Sequence, residues 1–267
     1  MVSKSGFCLV QAVCLIILEV CGCALESEHM PKRLCYNAIE RQIKVDGDTS
    51  DWVGIKKNVV EGPENLWFGQ GMTPEKWKGN DDSSFSWRAA WYQDKLYFLI
   101  EVTDDNVQPC IREYSWLNEC VEIYLDYRNL QGPRIEGVDV NTSLEDRLGK
   151  NLRGYEMHFL PCFPPKVFLS DVDGLYRTDC PQNNVFFSEW KGEVKDMRTS
   201  NGYLMEIGLS IPGMTLRPGT VMGVDVAVGD DDGEGRKSLL LWTRKWTGKQ
   251  VDFWITMDYY GQMTLVK

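Results

Sequence analysis

Short segments with alternating apolar and polar residues recur along the chain and predict β-strands. Between residues 120 and 127 the odd-numbered positions hold Val, Ile, Leu and Tyr, whereas Glu122 and Asp126 occupy even-numbered positions. Successive side chains of a strand point to opposite faces, so this segment is expected to have one buried face and one polar face. The predicted strands cover residues 84–92, 95–103, 120–127, 155–160, 185–191, 203–210, 221–228, 239–242 and 262–266.

Gly, Pro, Asn and Asp separate these segments, and no long amphipathic helix is predicted. Many short strands with polar turns indicate an all-β fold, an antiparallel β-sandwich of the immunoglobulin-like or jelly-roll-like kind with long loops. The longest irregular stretch, residues 128–153, is predicted to be an insertion loop. Residues 39–267 are expected to form one domain.

The first residues have the pattern of an export signal. Lys4 precedes an apolar run over residues 7–18, and small residues follow at Gly22 and Ala24. This indicates a signal peptide over residues 1–24 and a secreted, extracellular protein, because the run is too short to span a membrane. A bacterial lipoprotein signal with a lipid anchor at Cys23 is the alternative. Residues 25–38 are expected to be a tether.

Composition excludes several classes of function. The chain has 29 Lys and Arg against 39 Asp and Glu, a formal net charge of −10. This acidity argues against binding to nucleic acid and against attraction to an anionic membrane. The only histidines are His29 and His158, which leaves little scope for zinc or for Ser-His catalysis.

Export makes disulfides plausible, since exported proteins meet an oxidising environment. Beyond the predicted signal the chain has Cys35, Cys110, Cys120, Cys162 and Cys180. The pairs closest in sequence are Cys162 with Cys180 and Cys110 with Cys120. Five cysteines leave at least one thiol unpaired within the chain.

Two tryptophans precede strand-like segments in polar surroundings. Trp116 lies before the strand at residue 120, and Trp254 follows Asp252 before the last strand. An indole face stacks on the C–H bonds of a pyranose, while polar neighbours such as Glu122 bond its hydroxyls. The alternative is that these residues belong to the core, which is the usual position of Trp. The tryptophans in apolar surroundings are assigned to the core: Trp52, Trp87, Trp91 and Trp242.

An acidic, glycine-containing loop follows the strand predicted at residues 221–228. Its residues Asp230, Asp232 and Glu234 are candidate ligands for Ca²⁺, a hard ion that prefers several oxygen ligands. A solvated acidic turn is the alternative. Residues 104–106 (Asp, Asp, Asn) form a second, weaker candidate.

Two further interpretations remain open. A pair of carboxylates could make the chain a glycoside hydrolase that cleaves O-glycosyl bonds. His158, near Met157, could ligate haem in a cytochrome-like sandwich.

The order of motifs resembles the family 9 carbohydrate-binding modules. The resemblance starts at residues 43–47 and Asp51-Trp52, and continues through residues 89–105. It includes Trp116 followed by residues 120–126, then residues 223–228, Trp242 and residues 261–265.

This resemblance implies a calcium-containing β-sandwich that binds glycans, at the reducing end in characterised members, without catalysis. Two Trp residues sandwich the terminal sugar in that family; they match Trp116 and Trp254 here. Glu122 matches a position that bonds sugar hydroxyls, and Asp252 lies near a polar position of the family. Members are often fused to enzymes of polysaccharide breakdown, so a plant-type polysaccharide is the expected partner.

Overall fold

Twelve strands dominate the computed structural model, which describes residues 33–69, 71–131, 154–170, 192–210, 214–247 and 256–267. The first six strands are β1 (Cys35–Glu40), β2 (Asn58–Val60), β3 (Ser83–Tyr92), β4 (Lys95–Asp104), β5 (Cys120–Asp126) and β6 (Tyr155–Leu160). The others are β7 (Lys166–Ser170), β8 (Gly192–Thr199), β9 (Gly202–Leu209), β10 (Val221–Asp231), β11 (Arg236–Leu241) and β12 (Gly261–Val266). Helical structure in the described residues is limited to single turns at Thr49–Trp52, Pro63–Asn65, Pro74–Lys76, Ser115–Leu117 and Arg244–Thr247.

The strands form one long sheet in the order β7-β6-β5-β10-β12-β1-β3-β4-β9-β8, with β11 paired to β10 and β2 paired to β3. Strand β1 runs parallel to both of its neighbours, β12 and β3, and the other pairs are antiparallel. The predicted antiparallel arrangement therefore holds everywhere in the described sheet except around β1.

The sheet folds over on itself, and one core fills the space between the two layers. Val121, Ile123 and Leu125 of β5 share this core with Phe98 of β4 and Ile207 of β9, and strands β10 and β11 pack against β3. The predicted β-sandwich is confirmed, and so are its inward-facing β5 residues.

Aromatic residues fasten the two layers together. Trp87 is fully buried and makes an edge contact with Trp242, with ring centroids 4.8 Å apart. Tyr36 of β1, the neighbour of β3 in the sheet, lies against the same Trp87 ring with centroids 4.7 Å apart and so supports it from the adjacent strand. Such pairs contribute about 0.5–1.5 kcal/mol each beyond the burial of their area. The four tryptophans assigned to the core are all buried, as predicted.

All predicted strands that fall within the described residues correspond to observed ones, whereas the prediction for residues 185–191 lies outside the described part. Strands β1, β2, β7 and β8 were not predicted. Strand β1 begins at Cys35, inside the segment predicted to be a tether, so the folded domain starts before residue 39. Most of the predicted insertion loop, residues 132–153, is also outside the described part.

The disulfide prediction is wrong for both pairs. Cys110 is bonded to Cys162, with Cα atoms 5.7 Å apart, and this bond excludes Cys110–Cys120 and Cys162–Cys180. The end of β6 runs beside the start of β5, so the partners are neighbours in space although 52 positions separate them in sequence. Cys120 remains a buried thiol and Cys35 an exposed one; Cys180 lies outside the described residues.

Candidate functional site

Trp116 lies in the helical turn Ser115–Leu117, immediately before β5, and is half-buried. Asn118, which is 1 % exposed, holds the backbone of this loop. Its side-chain oxygen accepts a hydrogen bond from the Arg112 amide at 2.8 Å, and its Nδ2 donates to the Tyr114 carbonyl at 2.7 Å. A buried amide that bonds to backbone on both sides fixes the loop conformation.

Two further attachments tie the same loop to the sandwich. The disulfide joins Cys110, at its start, to Cys162 after β6. The Arg112 guanidinium pairs with the buried carboxylate of Asp231 at 3.1 Å and also donates to the Gly233 carbonyl. Trp116 is therefore presented on a loop held from both sides.

Arg236, at the start of β11, links Trp116 to Glu122. Its guanidinium carbon lies over the Trp116 ring, 5.9 Å from the ring centroid, and the same group forms an ion pair with Glu122. The guanidinium also lies against Gly229 of β10, where a Cβ atom would come within 2.8 Å of Arg236 Nε. Glycine at position 229 thus leaves the room that the arginine occupies.

A hydrogen-bonded network continues from Glu122 into the sheet. The Tyr124 hydroxyl donates to Glu122 and also lies 3.3 Å from Glu156 Oε1. Glu156 Oε1 is 2.9 Å from His158 Nε2, and His158 Nδ1 is 2.8 Å from the Ser115 hydroxyl. Because Ser115 precedes Trp116 in the chain, the network returns to the turn that carries the tryptophan.

The polar face predicted for residues 120–127 is not exposed. All seven residues of β5 are buried, and Glu122 is 1 % exposed. The face with the even-numbered residues is covered as well. The Glu122 carboxylate therefore pairs with Arg236 and accepts a hydrogen bond from Tyr124, and it does not contact solvent. His158 is fully buried with both ring nitrogens in hydrogen bonds, which is the environment of a packed histidine and not of a haem ligand.

Cys120, Glu122 and His158 bring possible ligand atoms within 4.8 Å of one another. However, the Arg236 cation already pairs with Glu122. Burial, followed by the Glu122 charge, raises the pKa of the Cys120 thiol well above its usual value. This group therefore does not offer a site for a second cation.

Three buried carboxylates meet near the same end of these strands, where β5 begins and β10 ends. Asp104 ends β4, Glu119 precedes β5 and Asp230 lies near the end of β10, and their oxygens approach within 4.8 Å of one another. These side chains are 5 %, 1 % and 1 % exposed. Strands β5 and β10 are antiparallel, so the start of one adjoins the end of the other.

Each of these carboxylates has one bonded and one unbonded oxygen. Asp104 Oδ1 accepts from the Asn106 amide at 2.7 Å, and Glu119 Oε1 accepts from the Asp231 amide at 2.8 Å. Asp230 Oδ2 accepts from the Ser238 hydroxyl at 3.1 Å and lies 3.5 Å from the Lys237 ammonium. The second oxygens, Asp104 Oδ2, Glu119 Oε2 and Asp230 Oδ1, are buried and have no hydrogen-bond partner among the described residues.

Burial raises the pKa of all three carboxyl groups. The pKa of Asp230 is raised to about 7, chiefly by burial and in part by the neighbouring acids. The pKa of Glu119 is raised well above its usual value by burial and by the charges of Asp104 and Asp230, and the pKa of Asp104 is also raised by burial. Ionised carboxylates at this place need a cation close by.

The predicted calcium ligands do not form one group. Asp230 joins Asp104 and Glu119, whereas Asp232 lies with Asp82 and Asp105 in a second group. Lys237 pairs closely with both Asp82 and Asp232 in that group and lies 3.5 Å from Asp230 in the first, so Asp104 and Glu119 are the carboxylates that this lysine does not pair with. Glu234 is exposed and belongs to neither group. The weaker candidate, residues 104–106, thus contributes Asp104 to the better site.

Arg236 contacts both Trp116 and Glu122, so the two residues lie close together, as their spacing predicted. Glu122, however, is buried against the arginine and does not face solvent. Trp254 and Asp252 fall outside the described residues. The sequence reasoning missed Arg236 and Glu119. Arg236 follows the acidic loop at the start of a strand, and Glu119 directly precedes the β5 segment; neither position by itself indicates a site.

No helix among the described residues is long and apolar enough to cross a membrane.

The fold defines a β-sandwich domain in which the Arg236 guanidinium lies over the half-buried Trp116 ring. The chain belongs to the carbohydrate family 9 binding domain-like family, whose sequence profile matches residues 63–135 and 175–267. A comparison with curated protein sequences gives no match.

Solved structures share the fold at low sequence identity. A family 9 carbohydrate-binding module from Caldicellulosiruptor kristjanssonii in complex with glucose is 14 % identical, with a TM-score of 0.58, over 86 % of this chain and 95 % of that chain. A structure of such a module from the same organism with cellotriose is also 14 % identical, with a TM-score of 0.58, over 87 % and 93 % of the two chains. A protein from Bacteroides uniformis is 13 % identical, with a TM-score of 0.52, over 88 % and 100 %.

Proposed function

We propose that this chain is an exported, non-catalytic module that binds a saccharide at Trp116. The observation that carries the proposal is the Arg236 guanidinium, which lies over the Trp116 ring while Glu122 holds it by an ion pair. A half-buried indole can stack on a pyranose, and the Arg236 side chain, which is 6 % exposed, fixes the position of that ring. Membership of the family supports the same function.

Glu122 acts in this proposal by positioning Arg236. Its carboxylate is buried and engaged by Arg236 and by the Tyr124 hydroxyl. Because both partners of this ion pair are already held in place, ligand binding loses less conformational entropy in ordering them. The family's sugar-bonding position is therefore occupied here by a residue that acts through its neighbour.

The finer features of the proposal are a second ring and a preferred ligand. Trp254 supplies the opposite face of a Trp sandwich around a terminal sugar, with Asp252 bonding a hydroxyl. Plant-type β-glucans bound end-on are the preferred class, since the related modules are complexed with glucose and cellotriose.

Isothermal titration calorimetry with glucose and cellotriose tests the proposal. Wild-type protein is expected to bind, whereas Trp116→Ala and Arg236→Ala are expected to lose most of that binding while thermal unfolding confirms that they fold. Trp77→Ala is the matched control, because Trp77 is also half-buried but lies outside this site. Unchanged binding by Trp116→Ala would overturn the site assignment, and release of sugar from cellulose or xylan would favour the hydrolase alternative.

A calcium ion held by Asp104, Glu119 and Asp230 is the second part of the proposal. Their three unbonded, buried oxygens fit a hard cation that requires several oxygen ligands. The ion would neutralise the buried charges and tie the ends of β4 and β10 to the start of β5. Its role would be structural, because the three carboxylates are at most 5 % exposed.

Thermal unfolding with and without Ca²⁺ tests the ion site. Ca²⁺ at about 100 times its Kd is expected to add about 2.7 kcal/mol, or about 5–10 °C in Tm. Glu119→Gln should abolish this response, whereas Glu234→Gln, a change in the same acidic surroundings at an exposed position, should keep it. A wild-type Tm that does not respond to Ca²⁺ or to chelator would reject the site.

Export is supported by the Cys110–Cys162 bond, since disulfides persist in oxidising compartments. N-terminal sequencing of the secreted product would distinguish cleavage near Ala24 from lipidation at Cys23.

A further inference from the structure

An open cleft lies at the end of the sandwich where β5 ends and β10 begins. These strands are antiparallel, with Asp126 opposite Gly223, so the cleft is at the opposite end of β5 from the turn that carries Trp116. Its volume is about 1010 Å³, near the upper end of the usual range for small-molecule sites. Its lining comes from two segments, residues 127–128 after β5 and residues 214–220 before β10.

The lining of this cleft is cationic although the protein as a whole is acidic. Arg128 and Arg217 both line it, and its described lining residues include no Asp or Glu. The whole chain, in contrast, has 39 acidic and 29 basic residues. Two positive charges in one cleft repel each other, and an anion between them is attracted to both. The cleft therefore favours an anionic ligand.

Arg217 is carried by a rigid turn. The Thr220 amide donates to the Arg217 carbonyl at 3.0 Å, and Pro218 and Gly219, with a φ of 87° at the glycine, suit the centre of a type II turn. The Gly219 amide donates to the Leu265 carbonyl at 2.8 Å, and the Leu265 amide donates to the Thr220 carbonyl at 2.9 Å. These bonds attach the turn to β12, so the backbone below Arg217 is fixed before any ligand binds.

The Arg217 guanidinium has no partner within the described part of the chain. Only the backbone of this exposed residue is engaged, through its amide, which donates to the Thr220 hydroxyl at 3.3 Å. Other surface cations differ, since Lys95 pairs with Glu193 and Lys245 pairs with Glu64. A guanidinium presents five donors in a planar fork that matches the oxygens of a carboxylate or a phosphate-like anion. Arg217 is thus a suitable anchor for an oxyanion.

The second arginine comes from the other segment of the lining. The Arg128 guanidinium carbon lies 5.0 Å from the centroid of the Tyr127 ring, which contacts the Tyr155 ring at 5.3 Å. This cation–π contact helps to hold the charge in place. Thr215 and Thr220 line the cleft as well, and a hydroxyl both donates and accepts hydrogen bonds. The combination suits a ligand that carries an oxyanion together with hydroxyl groups.

We propose that this cleft is a second ligand site, which binds an acidic sugar that carries a carboxylate or a sulfate group. Arg217 and Arg128 hold the oxyanion, and the two threonines bond the sugar hydroxyls. The site goes beyond saccharide binding at Trp116, and neither site depends on the other because they lie at opposite ends of β5.

NMR titration of the full chain with glucuronate, glucose 6-sulfate and glucose tests the site. A Trp116→Ala background removes the neutral-sugar site, so the remaining binding reports on the cleft. In that background the two acidic sugars are expected to bind and glucose is not, and the tighter of the two identifies the preferred oxyanion. Added salt should weaken this binding, because the arginines are accessible to solvent.

Adding Arg217→Ala to that background should weaken the binding of the acidic sugars about 10-fold or more, since hydrogen bonds between charged groups are lost. Arg198→Ala is the matched control. It removes the same charge from an exposed arginine that lies outside the cleft and donates to the Val107 carbonyl, and it should leave the binding unchanged.

Failure of both acidic sugars to bind would overturn the site. Equal weakening by Arg217→Ala and Arg198→Ala would do the same, because only the net charge would then matter. Inorganic sulfate that binds as tightly as glucose 6-sulfate would reject the assignment to a sugar, and so would glucose that binds as tightly as the acidic sugars. Glucose binding by the protein with Trp116 intact is a separate measurement, whose failure rejects the function proposed at Trp116 and not this site.

Discussion

At the scale of single residues, one buried carboxylate explains the motif at the start of the domain. Glu206 of β9 is fully buried, and its Oε1 accepts from the Trp52 indole at 2.7 Å. Its Oε2 accepts from the amides of Asp46 and Gly47. The Asp-Gly and Trp positions of the motif are thus joined to the sheet through a residue some 150 positions later in the chain.

Glu206→Ala should reduce the free energy of unfolding by about 3 kcal/mol or more, because two buried donors and the part-buried Asp46 amide lose their acceptor. Urea denaturation measures the change. Glu193→Ala is the control, since Glu193 forms an exposed pair with Lys95 and should cost less than about 1 kcal/mol. A similar small loss in both variants would show that the Glu206 contacts add little.

Asp225 predicts a dependence of stability on pH. It is fully buried on β10, bonded by the Thr243 hydroxyl, and burial raises its pKa from 3.8 to about 8. Between pH 4 and pH 8 the unfolded chain releases this proton and the folded chain keeps it, so the stability that Asp225 provides is full below pH 4 and is lost as pH rises towards 8.

Asp225→Asn removes that proton exchange. Its stability relative to wild type should therefore increase between pH 4 and pH 8, by on the order of 2–5 kcal/mol. Urea denaturation of both proteins at several pH values measures the difference, and a difference that is constant with pH contradicts the expectation.

The residue types predicted the core better than the site. Trp52, Trp87, Trp91 and Trp242 stand in apolar surroundings, and burial follows from local sequence. The alternating pattern predicted that Glu122 is exposed to solvent. Such a pattern separates the two faces of a strand, but it does not show which of these faces other elements cover. Its partner Arg236 lies 114 positions away, so only the three-dimensional fold brings the two together.

At the scale of elements, the strands with the strongest alternation were predictable and the others were not. Strand β8 is mostly exposed and polar, and β7 follows two prolines, so neither has a clear apolar pattern. The acidic site has a similar explanation. Each acidic loop alone resembles a solvated turn, and the ends of β4 and β10 converge only because the sheet folds over.

The loop before β5 should depend on its disulfide. Replacing both Cys110 and Cys162 with Ser opens a loop of 52 positions and should cost about 2–4 kcal/mol of stability. The Cys35→Ser variant is the control, because this thiol is exposed and unpaired, and it should unfold like wild type. Peptide mapping without reduction should find Cys110 linked to Cys162; a Cys110–Cys120 peptide would contradict the structure.

At the scale of the whole molecule, β1 joins the two halves of the sheet. It lies between β12 and β3, with Cys35 opposite Gln262 and Ile39 opposite Ala90. A strand bonded on both edges cannot be removed without exposing two unpaired edges. No pattern along the chain predicts this role, because the segment is short and only partly apolar.

Deletion of β1 should therefore prevent folding of the domain. A chain starting at residue 41 is expected to show no cooperative unfolding transition, whereas one starting at residue 31 should unfold cooperatively. Circular dichroism during heating measures both. A cooperative transition in the shorter chain would show that the two halves hold together through the core alone.

The pairing of β1 with β12 also has a consequence for biosynthesis. Strand β1 cannot pair with β12 while residues 261–266 are still inside the ribosome, so the sheet cannot be completed before they emerge. Contacts between distant parts of a chain slow folding. Until residues 261–266 have emerged, the nascent polypeptide lacks the strand that pairs with β1, and its sheet stays open at that edge.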